Sequence, residues 1–162
     1  MKTWGEFASA EPALASFGAD RLAGPPAYLA IVRDDWTPRV HPVTPVVAQD
    51  GLFVFMEPTS PKGRDLRERG RFALHNGVPD TEGSGGEFSV SGTGRLVDDP
   101  AIRAIAERAA SYGPAAKYVL FELLLEEARC NGYGDVEIPE HRRWRADRPE
   151  GPSTLTRGAT RS

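Results

Sequence analysis

Leu52-Phe53-Val54-Phe55-Met56 runs into Glu57-Pro58-Thr59 and then Ser60-Pro61-Lys62, and the change of character along these residues decides how the chain folds. The apolar run is short, β-forming and bounded by turn residues, so it reads as a buried strand. Ser60 suits the N-cap of a polar helix, and Pro61 its first position, where a missing N–H costs nothing. Gly70 supplies the stop. This strand–turn–helix gathers free backbone N–H groups, a hydroxyl and the Lys62 ammonium at one helix end. A helix N-terminus favours negative charge by roughly 0.3–1 kcal/mol, so the junction is a possible seat for a phosphate. The same pattern also describes an ordinary capped surface helix, and capped helices outnumber phosphate sites.

Upstream, Gln49-Asp50-Gly51 is a hairpin turn. The run Arg39 to Ala48 is β-branched but contains Pro42 and Pro45, which cannot donate to a ladder; such a strand belongs at an edge, at a bulge or against a ligand. Before it, Ala27 to Arg33 is a strand and Asp34-Asp35-Trp36-Thr37-Pro38 its turn, so three strands are expected to form an antiparallel meander. Downstream, Phe72 to His75 is a fourth strand and Val78 to Gly86 a mobile loop by composition. Glu87 to Val97 is a fifth, with Phe88, Val90 and Leu96 on its apolar side and Gly92 and Gly94 allowing a bend. Tyr118 to Leu125 reads equally as helix or buried strand, and closing the sheet needs a sixth strand there.

Helical signals flank this sheet. Thr3-Trp4-Gly5-Glu6 has capping-box spacing, Pro12 to Leu22 is a second helical piece, and Asp98-Asp99-Pro100 opens a helix that carries Ile102, Ile105, Ala106 and Ala109 and stops at Gly113-Pro114. The fold class is therefore mainly β (α+β): a six-stranded antiparallel barrel with flanking helices. Residues 1–148 form one domain, Trp144 is the last anchored residue, and residues 149–162 read as a flexible tail.

With 40% hydrophobic and 27% charged residues, the 162-residue chain sits in the ordinary globular range. No apolar run approaches the roughly 20 residues of a membrane span, and Met1 to Gly18 lacks signal-peptide character, so no membrane partner and a cytoplasmic location are expected. A single cysteine, Cys130, excludes an internal disulfide and thiolate zinc clusters. The net charge of −3 argues against a dedicated nucleic-acid binder. Basic residues nevertheless crowd Lys62 to Arg71 and Arg142 to Arg148, with Asp65 and Glu68 diluting the first group. Gly92-Thr93-Gly94 lacks the third glycine and following helix of a dinucleotide fingerprint. His41, His75 and His141 are too scattered to suggest a metal site.

Three segments together carry a resemblance: Ala27-Tyr28-Leu29-Ala30 up to Thr37-Pro38-Arg39-Val40-His41-Pro42-Val43; Leu52-Phe53-Val54-Phe55 followed by Ser60-Pro61-Lys62; and Arg64-Asp65-Leu66 through Phe72-Ala73-Leu74-His75. In order and spacing they resemble the FMN-binding split-barrel family typified by pyridoxamine 5′-phosphate oxidase. The resemblance implies a split β-barrel, a homodimer with FMN held between barrels, and in some branches an 8-hydroxy-5-deazaflavin cofactor instead. It places Arg39, Val40, His41, Pro42, Val43 and Thr44 along the ring system, with Arg39 also reaching the phosphate, and Ser60 and Lys62 on the phosphate. Met56 stands where the oxidases tend to have a hydroxyl residue facing the phosphate, and Pro61 replaces a basic residue. Trp144 and its neighbouring arginines are candidates to reach a partner's cofactor. These departures point away from true pyridoxamine 5′-phosphate oxidase activity.

The function implied is a flavin-dependent oxidoreductase moving hydride to or from a small organic substrate, with no side chain required as a general acid or base. The alternatives are a deazaflavin-dependent reductase on the same fold and a non-catalytic cofactor-binding protein. An RNA-binding barrel ranks last, since no aromatic stacking platform is evident.

Overall fold

In the computed structural model, which describes residues 1–24 and 26–146, the chain runs α1 (Trp4–Ala10), α2 (Pro12–Leu22), β1 (Ala27–Val32), β2 (Pro38–Val43), β3 (Val46–Ala48), β4 (Gly51–Met56), α3 (Pro61–Arg69), β5 (Arg71–His75), β6 (Glu87–Val97), α4 (Pro100–Ala109), β7 (Val119–Asn131) and β8 (Arg143–Arg145). The strands form one antiparallel sheet in the order β2-β1-β5-β6-β7-β4-β3, with β8 added to β7. The outermost strands, β2 and β3, are consecutive in the chain, separated by Thr44 and Pro45 alone. Seven strands laid flat would span about 29 Å at ~4.8 Å spacing, whereas Val43 to Val46 can stretch about 11 Å at most. The sheet must therefore curl until its ends meet. With β2 and β3 counted as one kinked strand, six strands circle the barrel.

That kink corrects the reading of Arg39 to Ala48 as one strand of a three-strand meander. Pro45 supplies no N–H and bends the run, so β2 pairs with β1 while β3 pairs with β4. The other edges of β1 and β4 go to β5 and β7. The ambiguous stretch from Tyr118 is strand, because it lies between β4 and β6 and both ladders take up its backbone; it continues past Leu125 to Asn131. The short strand β8 is an addition that the sequence did not announce. Leu96 leaves the expected apolar side and is exposed, and α4 ends before Gly113. The ladder between β6 and β7 shifts register at Ser91/Gly92. A Cβ on Gly92 would lie 1.9 Å from the Leu124 carbonyl oxygen, so only glycine fits there. Residues 147–162, and with them the expected tail, lie outside the described residues.

Burial explains why β4 is apolar throughout instead of alternating. Leu52, Val54 and Met56 enter the main core with Phe7, Leu29, Phe88 and Phe121, while Phe53 and Phe55 enter a second cluster beneath Ala106 of α4. Both faces are covered, so both are hydrophobic. The capping box at Thr3 starts α1, and Trp4 meets Phe7 and Phe88 edge-on, at 5.3 and 6.2 Å between ring centroids. Helices α1 and α2 thus seal the core from the side of β6 and β7.

Candidate functional site

Ser60 is the N-cap of α3, as its sequence position requires. Its Oγ accepts from the Gly63 N–H at 3.2 Å and donates to the Glu57 carbonyl at 2.7 Å. The helix ends at Gly70, whose φ of 71° places it in the left-handed region. Between them Leu66, fully buried, holds α3 down against Gly94 of β6; a Cβ on that glycine would come within 2.7 Å of Leu66 Cδ1. This seat brings the polar face of α3 against β2. In β2 the odd residues share the inward face: Arg39 and His41 lie opposite Ile31 and Leu29, and Val43 is buried.

Four charged or titratable side chains converge there. Arg39 Nε lies 3.1 Å from Asp65 Oδ2. The contact is one of charge and not an aligned hydrogen bond, since both atoms are buried without a hydrogen-bond partner. His41 Nε2 is equally buried and unpartnered, as is Nε of Arg69, one helical turn beyond Asp65. Lys62 makes no ion pair among the described residues. Burial pushes the His41 imidazolium down first, and the nearby charges of Lys62 and Arg39 push it further, against the opposing pull of Asp65. The imidazole is therefore neutral at pH 7. Arg39 and Lys62 against Asp65 leave the group with one net positive charge and with buried polar atoms lacking partners. Buried polar atoms are ordinarily satisfied, so such a cluster asks for an anion with several oxygens.

Of the residues the sequence singled out, the structure thus brings together Arg39, His41 and Lys62, with Ser60 capping the start of the helix that carries Lys62. It separates the rest. Val40 and Pro42 point to the opposite, exposed face of the sheet; Val43 and Met56 lie in the core; Thr44 sits half-buried at the kink. Trp144 packs on its own barrel beside Phe7, with ring centroids 4.9 Å apart. Asp65 entered the sequence reading only as a charge diluting the basic run, and Arg69 only as part of that run. The missed signal was helical spacing: Lys62, Asp65, Leu66 and Arg69 fall at i, i+3, i+4 and i+7, one face of α3.

No protein-family model and no curated protein matches the sequence. Solved structures do match. The heme-binding protein from Mycobacterium smegmatis superposes with a TM-score of 0.62 at 16% identity, covering 76% of this chain and 55% of that one. A putative pyridoxamine 5′-phosphate oxidase from Listeria innocua gives a TM-score of 0.55 at 16% identity over 68% of this chain and 92% of its own. The chain has the fold of the pyridoxamine 5′-phosphate oxidase-like split barrels. HutZ, the heme storage protein from Vibrio cholerae, shares that split barrel with a TM-score of 0.58 at 19% identity, covering 76% of this chain and 96% of its own. The chain spans about half the length of the Mycobacterium smegmatis protein. At these identities the split barrel is what is common.

Two further features of this split barrel bear on binding. Strand β2 ends the sheet, so its outer backbone edge has no ladder partner. The face of the sheet turned away from the main core is covered by α4 over β3 and β4 and by no described helix at β1, β2 or the β7–β8 end. It carries exposed Tyr28 and Val40 at the β1–β2 end and, at the β7–β8 end, Arg129, Arg143 and Arg145 gathered on Glu127. No described helix is long and apolar enough to cross a membrane.

Proposed function

We propose that the protein is a flavin-dependent oxidoreductase that binds FMN, with the phosphate received by Arg39 and Lys62 at the β2–α3 junction. The observation that carries this reading is the buried, unpartnered Nε of Arg39, in a cluster with His41 and with Lys62, which makes no ion pair among the described residues. A phosphate monoester supplies the acceptor oxygens they lack. Ser60 contributes as the N-cap that orients the helix start, its hydroxyl proton being committed to Glu57. The unpaired edge of β2 offers backbone donors and acceptors to the polar rim of a ring system. FMN bound there supplies hydride transfer to or from a small organic substrate, while the protein supplies binding and orientation.

A homodimer belongs to the same proposal. The uncovered sheet face joins an apolar end to an arginine-rich end, and a second copy turned about a two-fold axis covers the apolar residues of both. A haem reading is favoured by one observation, the neutral His41 with its free Nε2, and by the heme-binding neighbours. The test is an absorbance titration with FMN, riboflavin, the deazaflavin cofactor and haem in parallel. FMN is expected to bind and riboflavin, which lacks the phosphate, to bind far more weakly. Lys62→Ala should weaken FMN by about 10- to 100-fold, the worth of one charge-assisted hydrogen bond, and leave riboflavin unchanged. Equal affinity for FMN and riboflavin would remove the phosphate assignment, and retention of haem alone would replace FMN by haem.

A further inference from the structure

Resting on the phosphate reading above, we infer that Asp65 is a built-in competitor for the anion: its carboxylate occupies the cationic cradle in the free protein and yields Arg39 to the phosphate when a ligand enters.

Asp65 is 14% exposed in its side chain and Arg39 25%, so the pair is largely withdrawn from water. A purely structural pair so placed is expected to form aligned, satisfied hydrogen bonds, because misalignment in a low-dielectric site forfeits most of what offsets desolvation. Here the two atoms approach to 3.1 Å yet neither makes a hydrogen bond. Asp65 neutralises Arg39 without filling its donor geometry. The rest of the cluster is unfilled as well: Lys62 makes no ion pair among the described residues, and Nε2 of His41, beside Lys62, Arg39 and Asp65, is buried without a partner. One carboxylate, tethered to the helix, does not fill these groups. A phosphate has more oxygens and is free to align.

Charge adds a selection rule. With His41 neutral, Arg39 and Lys62 against Asp65 sum to +1, one short of what a phosphate monoester dianion needs. Replacing the carboxylate with an amide makes the cradle +2, which matches the dianion, lifts the repulsion between Asp65 and the ligand, and releases Arg39 from its resident partner. Every one of these changes favours the bound anion.

The test compares wild type with Asp65→Asn and Asp65→Glu, titrated with FMN and with riboflavin, each repeated with inorganic phosphate as competitor, alongside thermal melting of the ligand-free proteins. The expected result is that Asp65→Asn binds FMN at least about tenfold more tightly, with riboflavin unchanged. Its ligand-free melting temperature falls, because Arg39 loses its counter-charge, and inorganic phosphate restores it. Asp65→Glu keeps the charge and stays near wild type, showing that charge and not shape is read. FMN affinity of Asp65→Asn equal to or below wild type, while Lys62→Ala still weakens FMN, overturns the competitor role and leaves the phosphate site standing. Wild-type protein that binds FMN no better than riboflavin overturns both.

Discussion

Replacing Gly94 by alanine tests whether packing inside the barrel sets the geometry of the site. The new Cβ would meet Leu66 at 2.7, 2.9 and 3.0 Å, on Cδ1, Cγ and Cδ2 respectively. Ordinary carbon contacts need about 3.5–4.0 Å, so something must move by roughly 1 Å. Leu66 is fully buried and has no open side to turn toward, and the strand is held in two ladders, to β5 and β7. Helix α3 is the element that yields. Overpacking of this kind costs about 1–3 kcal/mol, which for a chain of this size lowers Tm by roughly 2–12 °C. The same displacement carries Lys62 and Asp65 away from Arg39 and His41. FMN affinity should therefore fall by about tenfold or more, although no residue of the cluster has been changed. Thermal denaturation and FMN titration of Gly94→Ala measure the two effects, and the double variant with Leu66→Ala should recover part of both. A Gly94→Ala protein with unchanged Tm and FMN affinity would refute the idea that Leu66 wedges α3 into position.

Elsewhere, Arg95→Ala strips the buried Glu122 carboxylate of two contacts, at 2.6 and 2.8 Å. It should cost about 2–4 kcal/mol by urea denaturation, below the full value for a buried pair because Arg95 is 57% exposed; a loss under ~0.5 kcal/mol would show that water reaches Glu122. His41 titrates below its ordinary value in the folded state. Its contribution to stability is thus complete above the unfolded value near 6.5 and is lost as pH falls through the depressed folded value. The urea midpoint should drop between pH 7.5 and 5, and His41→Gln should flatten that part of the profile. Val40→Asp places a charge on the exposed β2 face and should convert a sedimenting dimer to monomer without changing the fold, whereas an unaltered sedimentation coefficient would place the interface elsewhere. Cys130 is buried, with its thiol pushed up by burial, and should resist a thiol reagent at pH 8 until urea is added.

The parts of this molecule that local chemistry dictates were readable from the residues. Thr3 with Glu6, Ser60 with Pro61, Asp99 with Pro100 and Gly70 each mark a helix boundary by a mechanism confined to a few neighbours. The strand Glu87–Val97 was readable because one face is wet. Tyr118 to Leu125 was not decidable, since a segment buried on both faces loses the alternation that distinguishes strand from helix. The break at Pro45 needed knowledge of which edge each half pairs with, a property of the closed sheet. In the site, Lys62 and Ser60 declared themselves through the helix start. Asp65 did not stand out because its charge partner, Arg39 of β2, lies more than twenty positions upstream. Val40, Pro42, Val43 and Met56 were grouped with the site by adjacency in the chain, whereas the period-two alternation of a strand, and the inward turn of β4, send them elsewhere.

The junction at Thr44 and Pro45 also orders events in time. Its two flanking strands settle at opposite ends of the sheet, and β4, beside β3, cannot gain its second partner until β7, more than sixty residues later, has been laid against it. Each end strand is held by a local hairpin, β2 to β1 and β3 to β4, but these hairpins join the rest of the sheet only through β5 and β7, so the loop-closure entropy of the circuit must be met before the last ladders reward it. Refolding should accordingly be slow for a chain of this length. Pro45 stands where the circuit closes, so its replacement should speed unfolding more than it slows folding.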